Sequence, residues 1–514
     1  MHRTCNIGRS HAGALMTRRS ALRCMGSLVG VGLTGLLVAC QSTNGTVVVT
    51  PQRPTPEPPT VPAAGASPQA SPAAAASPAA SPVAAASPSP APVVAASPSP
   101  AAAQPVAGRP MYQMDPRHTG RSPYAGPRQA VLRATFESAA FPTPDPGDPR
   151  PEIQSSAAIA PDGTIYIGNF PGRLFALADP AAGEQRLQVR WSFHPPGASS
   201  FHTTPALAAD GTVYAGFSTG GATPEAKGTF YALRAPASGQ DPQVVWTVDL
   251  GGGRQTSSPT LGPDGTIYAV SGNGKLFAVT PSGAVRWSAQ TGPSLKAAPA
   301  LGSDGTVYLS SMDGKLYAVA PPSGGGDAGT VRWTFDFGEH LGPTPLVTAP
   351  VPPPGANAIG SGASPTIGPD GTIYLGASNS NFYAIAPDGT MRWMFEAERE
   401  VAGIWSTAAL SSDGSTLFFG ANKGGLYALN ARDGSLRWQF PIPGSVYASP
   451  TLDSRGTLYV ASEIGHLFAL DSSSGNAVFD FDAGNSIWTA PAIRPDGSLV
   501  IGDRLGRVLL LSSG

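Results

Sequence analysis

Short apolar runs separated by glycine turns recur from about residue 153 to the C-terminus. In one copy, residues 267–270 alternate between the two faces of a predicted strand. They follow Asp264-Gly265, a dipeptide that favours a hairpin because glycine adopts the positive φ of the turn at little cost. Further apolar runs follow at residues 276–279 and 285–289. The unit therefore predicts four short antiparallel strands.

The unit repeats along the chain, and its Asp-Gly turn marks each copy. Most successive turns lie 40 to 54 residues apart, and the longest spacing contains an insertion rich in proline and glycine at residues 338–359. Four-stranded units of about this length are typical of propeller blades. The turns begin at Asp162, Asp210, Asp264, Asp304, Asp370, Asp413 and Asp496, with Arg455-Gly456 in the same place in one further copy. We predict eight blades.

The last unit ends at the C-terminus without a fourth strand. A candidate lies ahead of the first unit at residues 131–136, which align with residues 189–193, with Ala134 in place of the repeat tryptophan. A strand borrowed from the N-terminal side would close the ring and remove two exposed sheet edges. The predicted fold is therefore an all-β, eight-bladed propeller of four-stranded antiparallel blades over residues 111–514, closed by an N-terminal strand.

The repeat resembles the PQQ-like, quinoprotein-type β-propeller repeat over roughly residues 129–514. Quinoprotein alcohol dehydrogenases and the BamB-type outer-membrane assembly lipoprotein share this repeat. Residues 115–122 also resemble the leader that precedes such propellers in secreted bacterial proteins. The resemblance implies the fold, and the site has to be argued separately because one fold serves many functions.

The N-terminus has the pattern of a bacterial export signal. Residues 17–23 resemble a twin-arginine motif, an apolar run covers residues 28–39, and residues 37–40 match a lipobox. We predict a signal peptide over residues 1–39 and lipidation of Cys40, since more than one acyl chain holds a protein stably on a membrane. An ordinary secretory signal or an uncleaved anchor are the alternatives, and Met16 is an alternative start.

Residues 40–110 are rich in Ala, Ser and Pro and are predicted to form a disordered tether. The net charge of −1 gives no electrostatic footprint for nucleic acid. The chain has three cysteines, Cys5, Cys24 and Cys40, so we expect no thiol or disulfide in the folded domain. We predict a monomer, anchored outside the cytoplasm at the cell surface or in the periplasm.

The candidate site is an aromatic rim around the central funnel. Trp405 and Trp488 depart from the repeat, and Tyr447 takes the equivalent place in the blade between them. We assign Phe201 and Arg254 to the same rim. Clustered aromatics on one face indicate a binding patch for peptide or glycan, and the alternative is that they plug the funnel mouth. The equivalent residues in other blades are assigned as Gln154, His202, Gln255, Lys296 and Gly362.

Other residues are interpreted as structural. Tryptophan recurs at one place in six units, and a single quinone site cannot need six copies, so we expect blade-to-blade packing. The carboxylates Asp313, Glu463 and Asp503 share no metal-ligand spacing and are interpreted as solvated turns. No metal site is predicted.

Two functions compete. The first is a non-enzymatic, lipid-anchored scaffold that binds an unidentified envelope protein or a glycan, with envelope assembly as one variant. The alternative is a PQQ-dependent quinoprotein dehydrogenase. That resemblance implies a Ca²⁺ site of Glu, Asn and Asp, and, in the larger alcohol dehydrogenases, a disulfide between adjacent cysteines. Because no cysteine follows Cys40, we predict neither PQQ nor Ca²⁺ as a cofactor, and no enzymatic activity.

Overall fold

The alternating runs of the sequence form eight antiparallel sheets. The computed structural model describes residues 108, 110–141, 150–220, 226–236, 241–293, 295–337, 362–397 and 403–514. The predicted signal peptide, Cys40, the tether except residues 108 and 110, and the insertion at residues 338–359 lie outside these ranges. The prediction of an all-β, eight-bladed propeller is confirmed.

The first half of the ring follows a closing strand and a short 3-10 turn. These elements are β1 (Val131–Glu137) and the 3-10 turn Ser138–Ala140; blade 1 with β2 (Ala158–Ile159), β3 (Ile165–Asn169), β4 (Arg173–Ala178) and β5 (Gln188–Phe193); blade 2 with β6 (Ala198–Ser200), β7 (Ala206–Leu207), β8 (Val213–Thr219), β9 (Lys227–Arg234) and β10 (Gln243–Gly252); blade 3 with β11 (Thr260–Leu261), β12 (Ile267–Val270), β13 (Lys275–Val279) and β14 (Val285–Gln290); and blade 4 with β15 (Ala300–Leu301), β16 (Val307–Ser310), β17 (Lys315–Ala320), the 3-10 turn Ser323–Gly325 and β18 (Thr330–Asp336).

The second half repeats the same order. Its strands are β19 (Thr366–Ile367), β20 (Ile373–Gly376), β21 (Asn381–Ile385) and β22 (Met391–Glu396) in blade 5; β23 (Ala409–Leu410), β24 (Thr416–Ala421), β25 (Gly425–Asn430) and β26 (Leu436–Phe440) in blade 6; β27 (Thr451–Leu452), β28 (Thr457–Ala461), β29 (His466–Asp471) and β30 (Ala477–Asp482) in blade 7; and β31 (Ala492–Ile493), β32 (Leu499–Gly502) and β33 (Arg507–Ser512) in blade 8. The helices described are two three-residue turns, neither of them long or apolar enough to cross a bilayer.

Strand β1 closes the ring as predicted. It pairs antiparallel with β33, with Phe136 opposite Val508, and completes the sheet of blade 8. Ala134 and Phe136 are both 1% exposed and pack with Val508 and with residues of blade 1. The first and last segments of the propeller therefore share one blade and one core.

Each sheet is buried on both faces between its neighbours. Ile267 and Ala269 pack towards Phe230 of blade 2, whereas Tyr268 packs on the other side towards Leu309 of blade 4. This arrangement confirms the period of two in the sequence. The core is a series of seams between blades, so each apolar strand residue stabilises two sheets at once.

The repeat tryptophans join neighbouring blades, as expected. The indole Nε1–H of Trp246 donates to the carbonyl oxygen of Pro281 at 2.8 Å, and that of Trp333 donates to Pro387 at 2.9 Å. A glycine of the next blade lies under the ring: a methyl group on Gly283 would come within 2.6 Å of Trp246. The tryptophan belongs to the scaffold.

The arginine that precedes the tryptophan has a role that the sequence analysis missed. The ladder of each outer strand contains a bulge, and in blade 3 the extra residue is Arg286. The bulge turns this side chain back to the Asp-Gly turn of its own blade, where Arg286 pairs with Asp264 at 3.3 Å. In blade 8 the same pair forms between Arg133 of β1 and Asp496, also at 3.3 Å. The closing strand thus follows the repeat in detail.

The leader before β1 runs along the inner strands at the Asp-Gly end of the central channel. Backbone amides of five blades donate hydrogen bonds to its carbonyl oxygens. The donor and acceptor pairs are Leu207 to Pro110, Leu301 to Pro116, Ile367 to Arg117, Leu410 to Thr119 and Leu452 to Gly120. The segment that resembles a secretion leader is therefore an integral part of the propeller floor.

His118 anchors this floor. Its Nδ1–H donates to the carbonyl oxygen of Pro365 at 3.0 Å, and its Nε2 accepts from the Thr260 hydroxyl at 3.2 Å. Because a carbonyl can only accept, Nδ1 carries a proton, and the lowered pKa of the ring leaves Nε2 as the acceptor at neutral pH. The side chain is fully buried, and this burial lowers the pKa of His118 to about 4.

Candidate functional site at the mouth of the channel

At the end of the channel opposite the leader, each blade contributes the residue that directly precedes two small residues at the entry to its first strand, such as Ser257-Ser258 in blade 3. Seven of these positions surround a cavity of about 160 Å³ whose floor includes Tyr112. They are Gln154, His202, Thr256, Lys296, Gly362, Tyr447 and Trp488. In blade 3 the position belongs to Thr256, so our assignment of Gln255 was wrong by one residue. Gln255 is 1% exposed, and its side chain is buried within the blades instead of lining the channel.

A ring of hydroxyl groups lies directly below the mouth. The Ser258 hydroxyl accepts a hydrogen bond from the Thr204 amide of the preceding blade at 2.8 Å, and Ser449 accepts from Thr407 at 2.9 Å. The same bond crosses the ring closure, where Ser156 accepts from the amide of Ala490. The small residues at the entry to these blades thus take part in a hydrogen-bonded seam between neighbouring blades.

Three predicted rim aromatics lie at this mouth. The rings of Tyr447 and Trp488 touch, with centroids 4.9 Å apart. Trp405 is separate from them: its ring covers Gly362, where a methyl group would lie 2.8 Å away, and it lies 6.0 Å from the Lys296 ammonium. All three are half-buried. The indole Nε1–H of Trp488 has no hydrogen-bond partner among the residues described.

Phe201 is not part of the exposed rim, which corrects the sequence prediction. It is 0% exposed, and its ring packs against Phe217 with centroids 4.8 Å apart. Phe201 takes the same buried position in its blade as Ile404, Val446 and Ile487 do in theirs. The physical reason is again the alternation of the inner strand, which puts its neighbour His202 in the channel.

Arg254 does lie at the mouth, within a chain of polar contacts across blades 8, 1, 2 and 3. Its guanidinium donates to Nε2 of His202 at 3.2 Å, and the Nδ1–H of His202 donates to Gln154 at 3.0 Å. Gln154 donates to Glu152 at 2.6 Å, and Arg504 donates to the other oxygen of Glu152 at 2.9 Å. Because the Arg254 guanidinium can only donate, Nε2 of His202 accepts and carries no proton. His202 is therefore protonated on Nδ1 alone and is neutral.

The charges of this chain shift the pKa values within it. Burial, with Arg254 and Lys296 next in importance, lowers the pKa of His202 to about 4. Burial opposes ionisation of Glu152, but hydrogen bonds from Arg504 and Gln154 outweigh it and hold the pKa of Glu152 below its usual value. The mouth therefore holds a carboxylate whose charge is offset by Arg504 and an imidazole that stays neutral.

Lys296 is a further cation at the mouth. Partial burial and the neighbouring Arg254 lower the pKa of its ammonium. In the part of the chain that the structure describes, no ion pair joins Lys296 to a carboxylate. Arg504 also lies with its guanidinium carbon 4.4 Å from the centre of the Trp488 ring, so cationic and aromatic groups meet at the rim.

The turns around the mouth contain features that the sequence analysis misread or missed. Asp503 is fully buried and pairs with Arg507 at 2.6 Å, so it is not a solvated turn. The turn tips of blades 7 and 8 carry exposed apolar side chains, Ile464 at 44% and Leu505 at 53%. A signal was available, because these turns place an apolar residue before the glycine where blades 3 and 4 place Asn273 and Asp313.

Comparison with known proteins gives a family and a fold. A family model described as outer membrane protein assembly factor BamB matches residues 226–353 and 378–513. No curated protein matches the sequence.

Among the many solved structures that share the fold are three examples. They are the quinohemoprotein alcohol dehydrogenase from Comamonas testosteroni, at 12% identity over 80% of this chain and 81% of that chain with a TM-score of 0.58; a europium-containing methanol dehydrogenase, at 11% over 80% and 98% with a TM-score of 0.55; and BamB from Moraxella catarrhalis, at 13% over 75% and 100% with a TM-score of 0.50. At these identities the likeness concerns the fold alone.

Proposed function

Because the chain belongs to the family described as outer membrane protein assembly factor BamB, with its PQQ-like propeller repeat, we propose that it is a non-enzymatic interaction scaffold outside the cytoplasm. The partner is an envelope protein, with a glycan as the alternative. A lipid on Cys40 and the tether of residues 40–110 would hold the propeller on a membrane.

One observation carries this proposal: apolar side chains converge on the mouth face of blades 7 and 8. Tyr447 and Trp488 are half-buried and touch each other, and the turn tips of the same two blades expose Ile464 and Leu505 to solvent. Aromatic anchors surrounded by apolar residues are typical of the centre of a protein interface. The repeat tryptophans serve packing and cannot explain this second set.

A recovery experiment tests the scaffold. The full chain carrying Trp405→Ala, Tyr447→Ala and Trp488→Ala would be compared with the unmodified chain for the envelope proteins that co-purify with it. Trp438→Ala is the matched control, because Trp438 donates from Nε1 to Ser472 at 3.1 Å and serves blade packing. We expect the rim variant to lose its partners, and the control to lose melting temperature while keeping its partners. The reverse pattern would mean that the rim only plugs the funnel.

A quinoprotein dehydrogenase is the second candidate, favoured by the fold shared with two alcohol-oxidising enzymes. The described residues do not fit its cofactor. No group of three His, Cys, Asp or Glu side chains among them could hold a metal ion. Glu152 at the mouth is already bound by Arg504 and Gln154, so it is not free to coordinate Ca²⁺.

Added cofactor separates the two candidates. PQQ and Ca²⁺ would be titrated into the purified full chain while melting temperature and dye reduction are followed. A ligand that binds only the native state raises its stability with concentration. We expect no rise and no dye reduction, and a rise with both PQQ and Ca²⁺ together with dye reduction would make the protein an enzyme.

A further inference from the structure

The outer strand of each blade is a sheet edge, and in two blades the following blade covers that edge. In blade 8 the backbone N–H and C=O of Thr135 are hydrogen-bonded to residues 185–187, each with an N···O distance of 2.9 Å. In blade 3 those of Ser288 are bonded to residues 327–329, again at 2.9 Å. Both covering segments run parallel to the edge that they cover. The propeller thus adds an extended segment to its own outer strands.

This covering depends on the connection between the third and fourth strands of the following blade. The connections that reach an edge are long, spanning residues 179–187 in blade 1 and 321–329 in blade 4. In blade 6 the connection is only residues 431–435 and closes on itself, because the Asn430 amide donates to the Ser435 carbonyl oxygen at 2.8 Å. In the part of the chain that the structure describes, no segment covers β22, the outer strand of blade 5.

Met394 presents the open backbone groups of β22. It lies opposite Tyr383 as Ser288 lies opposite Phe277 in blade 3, so the two residues have the same place in their ladders. In an antiparallel ladder the N–H and C=O of one residue point to the same side. Those of Ser288 point out of blade 3, so those of Met394 point out of blade 5. No bond beyond the ladder of blade 5 joins them to a described residue.

An apolar side chain distinguishes this edge from the others. The residue in the place of Met394 is polar in the seven other blades, where it is Ser192, Thr247, Ser288, Thr334, Gln439, Asp480 or Thr135. An apolar edge with unpaired backbone groups is a template for pairing with another chain. Blade 5 therefore combines an open edge with the side chain that favours its use.

Met391 and Met394 form one apolar surface at this edge. They are 41% and 39% exposed. Met391 lies opposite Ile385 and Met394 lies opposite Tyr383, with Arg392 as the extra residue of the bulge, so both methionines lie on the face of blade 5 that packs towards blade 4. Methionine is flexible and fits apolar side chains of varied shape.

We propose that β22 is a second interaction surface, which binds an extended segment of a protein partner as a fifth strand of blade 5. The segment runs parallel to β22, its backbone bonds to Met394, and its apolar side chains pack on Met391 and Met394. In this mode main-chain hydrogen bonds give affinity and alternate side chains give selectivity. The surface lies on the circumference of the propeller and does not depend on the function proposed for the mouth.

A partner is favoured over a second copy of this chain by the direction of the strands. Two β22 strands related by a two-fold axis would pair antiparallel, whereas both covering segments in this propeller run parallel to their edges. A second copy is therefore an outcome that the test has to distinguish.

A short peptide tests the inference on the full chain. The probe is a fluorescent peptide with blocked ends in which Val alternates with Thr, and its binding is followed by anisotropy. Met394→Pro removes the outward N–H, and proline is tolerated on an edge strand where that N–H faces solvent. We expect binding at least about tenfold weaker, as for the loss of a main-chain hydrogen bond. Thr334→Pro makes the same change at the polar edge of blade 4 and should leave binding unchanged.

A milder variant and a second measurement complete the test. Met394→Thr gives blade 5 the residue that blade 4 has at this place and should weaken the peptide at least about threefold, since it removes apolar contact area. Unchanged affinity in both Met394 variants, or an equal loss in Thr334→Pro, would overturn the proposal. So would a dimer of the unmodified chain in sedimentation that Met394→Pro dissociates, because the occupant would then be a second copy. The rim variant of the recovery experiment should bind the peptide normally, so the two proposals fail separately.

Discussion

His118 lies at the floor of the channel, and its two ring nitrogens are hydrogen-bonded to different blades. It is one of three buried leader residues with left-handed backbone, the others being Gln113 and Met114. Such a conformation is uncommon outside glycine and persists where surrounding contacts determine it. The side chain therefore fixes a segment that its own backbone preference would not.

The stability of the protein should depend on pH through His118. Its pKa is about 4 in the folded state and about 6.5 when unfolded. Between these values the unfolded state binds more protons, so the free energy of unfolding falls as pH decreases from about 6.5 to 4. The loss from this residue is at most about 3 kcal/mol.

Melting curves over this pH range measure the effect. His118→Asn removes the titrating ring, and asparagine tolerates the left-handed backbone. We expect the variant to be less stable at neutral pH and to lose less melting temperature on acidification than the unmodified chain. Parallel curves for the two proteins would show that His118 does not titrate with unfolding.

The residue scale is also where sequence reasoning erred. Gln255 and Thr256 are adjacent polar residues, and a shift of one position exchanges the inward and outward faces of a strand. Phe201 was misjudged in the same way, whereas its neighbour His202 was assigned correctly to the mouth. The contact between Arg286 and Asp264 was missed because it depends on a bulge, which adds one residue to the ladder without a distinctive sequence signal.

At the scale of elements, the blades were predictable because their signals are local. Each unit contains its own alternation and its own turn, and Gly265 adopts the positive φ of 79° that the Asp-Gly signal implies. The leader was not predictable in the same way. It is held mainly by its carbonyl oxygens accepting from strands far away in the sequence, and a backbone carbonyl leaves no trace in side-chain pattern.

The stability of the propeller should depend on the buried side chains of β1. Phe136→Ala removes a side chain that is 1% exposed and packs with Phe175 of blade 1 at 4.9 Å, so it should cost about 3–5 kcal/mol. Val131→Ala in the same strand is the control, since Val131 is 48% exposed, and should change stability by less than about 0.5 kcal/mol. Chemical denaturation measures both, and equal effects would contradict the pairing of β1 with blade 8.

The packing of the repeat tryptophan on the glycine of the next blade should also contribute to stability. Gly283→Ala places a methyl group 2.6 Å from the Trp246 ring at a φ of 90°. Gly183→Ala introduces the same backbone strain at a φ of 83° with no atom within 4 Å. We expect Gly283→Ala to lower the free energy of unfolding by about 1–3 kcal/mol more than Gly183→Ala. Equal losses in denaturation would mean that the tryptophan is not confined by this glycine.

At the scale of the whole molecule, the N-terminal segment has two roles: it lines one end of the channel, and it completes the last blade. Residues 110–122 run along the Asp-Gly end of the channel, and β1 completes the sheet of blade 8. The opposite end remains accessible, and its aromatic and cationic sides face each other across the cavity. This accessible end is where we propose that a partner binds.

Position-specific photo-crosslinking in living cells tests this account most directly. A photoreactive residue at Leu505, which is 53% exposed on the mouth face, would be compared with one at Val285, which is 46% exposed at the start of β14 on the opposite face. We predict a discrete covalent adduct with one envelope protein at Leu505, lost in Trp488→Ala, and none at Val285. No adduct at Leu505, or the same adduct at both positions, would contradict a binding site at the mouth.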